Sequence, residues 1–237
     1  LKRISKIALL VFVREARQEA RLKPIFSGDD SRNEQLFTFL NKRIINEAKA
    51  SSFEYFVIST KDQVGQDFAD RFKNAFKSIF ELGYDAVISV GNDVPQVNRK
   101  TIASVHDAFA EHDVVIGKTT SNGAYTLGLT KYAFSKCDFD AVDWSSKNVV
   151  RSIEDRAEVQ GSTYRQLDEI YYEINSHDDL TVFIECVAHC QFTFHGVLFL
   201  IGLYYNKHQQ IDHQKRIQSF FHSTSFEIRG SPCLFLT

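Results

Sequence analysis

Apolar residues in this chain gather in short unbroken runs, and between the runs they recur every three or four positions. Lys6 to Val13 is a run bounded by charge. A continuous apolar stretch of that length suits a parallel strand covered on both faces. Phe53 to Ser59, Ala86 to Val90 and Asp113 to Gly117 repeat the pattern, and Gly123 to Leu129 reads as a further strand entered through a glycine. Helical spacing fills the gaps. Leu36, Phe37, Phe39, Leu40, Ile44, Ile45 and Ala48 recur at helical spacing over Asn33 to Ala50; Phe72, Ala75, Phe76, Ile79 and Phe80 line Phe68 to Leu82; Ile102, Val105, Ala108 and Phe109 line Arg99 to His112. Gly83 suits the C-terminal cap of the second helix. Strand and helix alternating in this way predict an α/β three-layer sandwich with a mostly parallel sheet.

Beyond Leu129 the pattern loosens. Phe134 to Val142 reads as irregular, and a helix is expected from Ser145 to about Gln160 with Ser145 or Ser146 at its N-cap. Tyr164 to Ile174 is mixed, with Tyr171, Tyr172 and Ile174 suggesting an extended segment, and a helix start follows at Ser176 to Leu180. The organisation expected is a main domain over residues 1–180 and a C-terminal extension over 181–237. Thr181 to Tyr205 is mostly apolar, but Glu185, His189, Gln191 and His195 interrupt it and leave only Gly196 to Tyr205 clean. That remnant is too short to span a bilayer. A buried helix or an oligomer contact is expected instead, and with it a homodimer formed through the extension. Asn206 to Gln218 predicts a polar surface helix, and Phe226 to Leu236 a short hairpin around Arg229-Gly230-Ser231-Pro232.

Composition narrows the class of partner. Across 237 residues, 43% are hydrophobic, 24% are charged and the formal net charge is −2, so neither nucleic acid nor an anionic membrane is an expected partner. Four cysteines fall at no disulfide or zinc-ribbon spacing, which favours a cytoplasmic location. Cys186-x-x-His189-Cys190 has metal-capable atoms, yet in an apolar run it reads as packed side chains. Leu1 to Val13 continues into Arg14-Glu15 without small residues suited to cleavage, so no secretion leader is expected there.

Candidate chemistry collects where the strands end. Gly91 frees the backbone after Ala86 to Val90, Asn92 and Asp93 put polar oxygens just past the strand, and Pro95 stops the ladder. In open α/β sheets that edge is where ligands bind. Asp93 is a turn former or a ligand, and spacing alone leaves both open. Arg14, Arg17, Arg21 and Lys23 follow the first strand, and such a basic segment is either a solvated turn or a clamp for a diphosphate. Lys118 to Asn122 follows the fourth strand. Cations for a diphosphate, with a carboxylate for a bridging Mg or Mn ion, are what enzymes of nucleotide sugars or nucleoside triphosphates require. Trp144, the single tryptophan, sits at a loop-to-helix junction where it walls a pocket or packs in the core.

Several of these segments resemble the bacterial glycosyltransferase-like family of radical-SAM/selenodomain-associated transferases, of GT-A, nucleotide-diphospho-sugar transferase fold type. Its Gly-Ser/Asn-Asp-Cys-Pro motif is similar to Gly91-Asn92-Asp93-Val94-Pro95. Its Gly-Pro stretch leading to Asp-Gly-Gly, Tyr and Gly-Leu is similar to Gly117-Lys118, Ser121-Asn122-Gly123, Tyr125 and Gly128-Leu129; its Trp segment resembles Asp143-Trp144-Ser145; its Asp-Ile-Asp and Asp-Leu resemble Glu173-Ile174-Asn175 and Asp179-Leu180. The resemblance runs over about residues 4–180. It implies a GT-A-like α/β domain and a glycosyltransferase that takes a nucleoside-diphosphate sugar and an acceptor. The implied site has Asp93 and Ser121 as catalytic residues, Asp93 also as metal ligand, Arg14, Arg21, Lys23, Lys118, Asn92 and Gly123 at the nucleotide and phosphates, and Tyr125 and Trp144 at the acceptor.

Departures from the pattern concern mechanism. Phe12, Arg14 and, with an offset of one, Lys23 fit the family's basic loop, but its Thr-Arg-Leu is replaced by Pro24-Ile25-Phe26. The Asp of Asp-Gly-Gly is Ser121 and the Pro after Gly117 is Lys118, so a carboxylate is lost and a cation gained. Lys118 could then supply charge to the phosphates in place of a metal. Two further readings follow from these losses: nucleotidyl transfer on the same fold, and a member that binds a ligand or partner without turnover.

Overall fold

The computed structural model describes residues 4–144, 148–189 and 197–205. Backbone contacts divide the chain into two units, Leu1–Phe192 and Thr193–Thr237. The first is built on a six-stranded sheet: β1 (Ile7–Phe12), β2 (Glu54–Ile58), β3 (Ala86–Val90), β4 (Val114–Lys118), β5 (Ala124–Thr130) and β6 (Tyr164–Gln166), in the order β2-β1-β3-β5-β4-β6. The β1–β2, β1–β3 and β4–β6 pairs are parallel, and β5 runs antiparallel to both β3 and β4.

That antiparallel strand follows from chain length. Five residues separate β4 from β5, too few for a crossover, so the chain turns back at once. The turn is tight: Thr119 N donates to Gly123 O, Asn122 N donates to Thr119 O, and Asn122 takes a positive φ of 66°. Asparagine tolerates this conformation better than most residues.

Helices cover both faces. Alternate side chains of the strands divide between them: Ala8, Leu10, Val87, Ile116 and Leu127 face one layer, and Leu9, Val11, Ile88 and Val115 the other. The first layer holds α3 (Phe68–Glu81), α5 (Lys131–Lys136), the 3₁₀ turn Phe139–Ala141 and α6 (Val149–Val159). The second holds α2 (Asp30–Ala50) and α4 (Arg99–Ala108). The fold is an α/β three-layer sandwich, with the mostly parallel sheet that the hydrophobic pattern predicts.

Local chemistry sets the element ends. Asp29 accepts from Arg32 N to cap α2, Asp67 accepts from Asp70 N to cap α3, and Asn98 forms a capping box with Thr101 on α4. Gly83, at φ 89°, closes α3 as expected. Asp85 accepts from Ser5 N, Ser5 Oγ and Lys6 N at 2.9, 2.8 and 2.9 Å, fastening the entries of β1 and β3 together. These bonds hold its carboxyl below the usual carboxylate range.

Some expectations change. The basic segment after β1 contains a helix, α1 (Ala16–Leu22). The stretch expected to be irregular, Phe134 to Val142, holds the end of α5 and the 3₁₀ turn; Thr130 Oγ1 accepts from Ala133 N and caps a helix too short to show periodicity. The helix expected from Ser145 begins at Val149 with Asn148 at its N-cap, and no side chain caps it. The expected boundary after residue 180 falls inside α7 (His177–His189). In the second unit the described element is α8 (Val197–Tyr204). Among the described residues no helix is long and apolar enough to cross a membrane. The polar helix at 206–218, the hairpin at 226–236, residues Ser145, Ser146 and Cys190, and most of the segment assigned to a dimer contact lie outside the described residues.

Candidate functional site

The parallel strands β1, β2 and β3 end at the same edge of the sheet, and the chain crosses from one side of β1 to the other between β2 and β3. Such a switch point opens a crevice outside the strand ends. A cleft of about 450 Å³ lies there. Phe12, Val13 and Arg14 enter it from the end of β1, Glu19 and Lys23 from α1, Gly91, Asn92 and Asp93 from the end of β3, and Ser121 and Gly123 to Leu127 from the turn and start of β5.

One wall is charged. Glu19 is buried and divides its two oxygens between cations: Oε2 accepts from Arg14 Nη1 at 3.1 Å and Oε1 lies 3.0 Å from Lys23 Nζ. The second contact is an i,i+4 pair, set by the helical turn between the residues. Lys23 Nζ also lies 3.6 Å from Asp93 Oδ2, a contact of charge with charge at more than hydrogen-bond length. Burial works against the Lys23 ammonium, yet Asp93 and Glu19 outweigh it and hold its pKa above the usual lysine range. Arg14, Glu19, Lys23 and Asp93 thus form a continuous chain of alternating charge across the β1 and β3 exits.

Hydrogen bonds fix the loops that carry these groups. Asn92 Nδ2 donates to Asn41 Oδ1 at 2.7 Å, and Asn41 Nδ2 donates to Arg14 O at 2.9 Å. Asn92, mostly buried, therefore serves as a clasp between the two strand exits. Gln63 Nε2 donates to Val13 O at 3.0 Å.

A third carboxylate, Glu173, lines the cleft. Ile174 N donates to Asp93 O at 2.8 Å, which brings Glu173 and Asn175 alongside the Asp93 loop. Ser121 Oγ donates to Glu173 Oε1, and because its single proton is then used, Thr119 Oγ1 donates to Ser121 at 3.0 Å. A Cβ on Gly123 would stand 2.6 Å from Glu173 Oε2, so only glycine leaves the carboxylate its place.

The opposite wall is aromatic: Phe12, Phe68, Phe72 and Trp144. Trp144 Nε1 donates to Phe139 O at 2.8 Å, and its ring centroid lies 5.3 Å from that of Phe72 and 5.5 Å from that of Phe68. Tyr125 also lines the cleft, but its hydroxyl donates to Glu169 O at 3.1 Å, and burial, followed by Tyr171 and Glu169, raises its pKa. Arg71 also lines the cleft, and its guanidinium donates to Gln66 O.

Of the residues nominated from the sequence, Arg14, Lys23, Asn92, Asp93, Ser121, Gly123, Tyr125 and Trp144 line one cleft. Arg21 and Lys118 do not. Arg21 lies on the exposed face of α1. Lys118 follows a register shift at the end of β4, and its charge acts on Glu154 of α6, whose pKa burial raises. Among the described residues, the cations that line the cleft are Arg14, Lys23 and Arg71. Glu19 and Glu173 were passed over. Glu19 is masked by surrounding arginines, its one signal being the i,i+4 spacing to Lys23; nothing in the sequence marks the contact of Glu173 with residue 121.

A divalent ion does not fit these donors as they stand. Asp93 already faces the Lys23 ammonium, Glu19 is shared between two cations, and Glu173 accepts from Ser121. Among the described residues no group of three or more His, Cys, Asp or Glu side chains is placed to hold a metal.

The comparisons place the fold. A family model described as "Uncharacterized protein conserved in bacteria (DUF2064)" matches residues 35–146. Among solved structures, a candidate nucleotide-diphospho-sugar transferase from Desulfovibrio desulfuricans G20 superposes with a TM-score of 0.72 at 17% identity, covering 91% of this chain and 98% of that one. Rv0371c of Mycobacterium tuberculosis H37Rv in complex with manganese matches at a TM-score of 0.42 and 10% identity, over 76% and 99% of the two chains. The 4-diphosphocytidyl-2C-methyl-D-erythritol synthase of Anaerococcus prevotii DSM 20548 matches at 0.44 and 7%, over 75% and 96%. The first likeness shows the shared fold, and the other two are too remote to bear on this cleft. No protein of curated function matches the sequence.

Proposed function

We propose that the cleft binds a nucleoside-diphosphate sugar and transfers its glycosyl group to an acceptor hydroxyl. The observation that carries this reading is that one cleft is lined by two cations at the β1 exit, Arg14 and Lys23, and by the carboxylate of Glu173 beside the Asp93 loop. Arg14 and Lys23 each keep donors beyond those used on Glu19, and these meet the phosphate oxygens and neutralise the charge that grows on the leaving diphosphate. Asp93 orients Lys23, and Ser121 orients Glu173. The acceptor oxygen forms a bond to the anomeric carbon, the bond from that carbon to the phosphate oxygen breaks, and its electron pair leaves with the diphosphate. Glu173 takes the acceptor proton. Gly123 allows close backbone approach, and Trp144 with Tyr125 walls the acceptor side.

The missing carboxylate at 121 favours a rival reading, a protein that binds without turnover. Glu173 answers it by standing against the residue that replaced the aspartate.

Release of nucleoside diphosphate from a panel of nucleotide sugars, with acceptor alcohols, tests the proposal. Glu173→Gln is expected to lower turnover by about 10²–10⁴-fold while leaving donor binding within a few-fold. Consumption of nucleoside triphosphate with release of pyrophosphate would assign nucleotidyl transfer instead. Binding of neither class of nucleotide would leave the non-catalytic reading.

A further inference from the structure

We infer that Lys23 is the cation of this site: its ammonium holds the position beside Asp93, excludes a divalent ion from that carboxylate, and meets a diphosphate in the metal's stead. Three observations carry this. Lys23 Nζ is anchored at 3.0 Å to a buried carboxylate, Glu19, and stands 3.6 Å from Asp93 Oδ2. A divalent ion bound to Asp93 would share that small space with a fixed positive charge, and like charges at such separations repel strongly where water is partly excluded. The anchor is itself stiff, because Glu19 is locked from the other side by Arg14.

The contact geometry separates the two duties of the lysine. The Glu19 contact has hydrogen-bond length and the Asp93 contact does not. An ammonium has three donors, so those not directed at Glu19 are open to phosphate oxygens while the charge still answers Asp93. Lys23 retains about a fifth of its side-chain exposure and Arg14 about a third, on the wall that lines the cleft.

The exclusion of metal stands on these charges alone, whereas the contact with a diphosphate rests on the proposed function. Binding of Mn²⁺ to the full chain, followed by electron paramagnetic resonance without any nucleotide, tests the first. Wild type is expected to bind no ion that depends on Asp93, so wild type and Asp93→Asn should titrate alike. Lys23→Gln should gain a site at least about tenfold tighter, lost again in the Lys23→Gln, Asp93→Asn double variant, and Lys23→Arg should behave as wild type. An Mn²⁺ site in wild type that Asp93→Asn removes overturns the inference, and so does a folded Lys23→Gln with no gain. The comparison of wild type with Asp93→Asn still exposes the inference to refutation if Lys23→Gln fails to fold. Calorimetry with pyrophosphate tests the second part: binding is expected in EDTA, with no requirement for Mn²⁺. Binding that requires Mn²⁺ overturns this inference and leaves the proposed function standing; binding under neither condition overturns the diphosphate reading of the cleft.

Discussion

The two walls of the cleft are built by opposite means. The aromatic wall is the exposed end of the core: Phe72 lies 5.0 Å, centroid to centroid, from Phe76 and 6.3 Å from Phe139, both fully buried beneath it. Its position is over-determined by packing, and a ligand there meets a surface that cannot give. The charged wall has no such backing. Arg14, Glu19, Lys23 and Asp93 hold one another in a row drawn from the exits of two strands and one short helix, on loops tied by the Asn92–Asn41 clasp. One wall supplies shape, and the other supplies charge that a ligand can re-partner.

The sharpest way to break this contrast is Phe72→Ala. The side chain is nearly buried and touches Phe12, Phe68, Phe76, Phe139 and Trp144. Its removal is expected to cost about 3–5 kcal/mol in chemical denaturation, the range for large aromatic truncations in cores. A loss below about 1 kcal/mol would mean that the wall is not continuous with the core.

Glu19→Gln probes the charged wall in the same assay and should cost less, about 2 kcal/mol. Removing one member of a buried ion pair leaves its partners uncompensated, but Arg14 and Lys23 are both partly exposed and can rehydrate. Its larger effect should fall on ligand: with the anchor neutral, pyrophosphate affinity is expected to change, whereas Phe72→Ala should leave that affinity within a few-fold once the protein is folded. Equal effects of the two variants on affinity would erase the distinction between the walls.

The contrast also explains what could be read from the sequence. Strands and helices on which packing dominates were legible: the runs at β1 and β3, and the three- and four-residue spacing of Phe72, Phe76 and Phe80, marked the elements and their buried faces. Placement of Asp93 beyond β3 and of Arg14 and Lys23 beyond β1 was legible too, because strand ends share an edge. Pairing between side chains was not. Nothing in the spacing from Ser121 to Glu173 announces their contact, which depends on the backbone bond from Ile174 to Asp93. Nor does the run Arg17-Gln18-Glu19-Ala20-Arg21 reveal that its buried member is the glutamate. The side on which Lys118 falls was decided by a register shift at the end of β4, a feature that periodicity cannot carry.

The smallest effect is a pH dependence, and it separates charge from packing at Lys23. The folded-state pKa of this lysine lies above its ordinary value, since the carboxylates of Asp93 and Glu19 outweigh the burial that lowers it. The stabilisation it supplies is therefore complete below the unfolded value, about 10.4, and is lost as pH rises through the higher folded value. Denaturation midpoints for wild type and Lys23→Gln should differ by a constant amount from neutral pH up to about pH 10 and converge above it. If the difference persisted unchanged into strongly alkaline solution, the lysine would be contributing its aliphatic stem and not its charge. The alternating row that links Arg14 to Asp93 would then be geometry without electrostatic consequence.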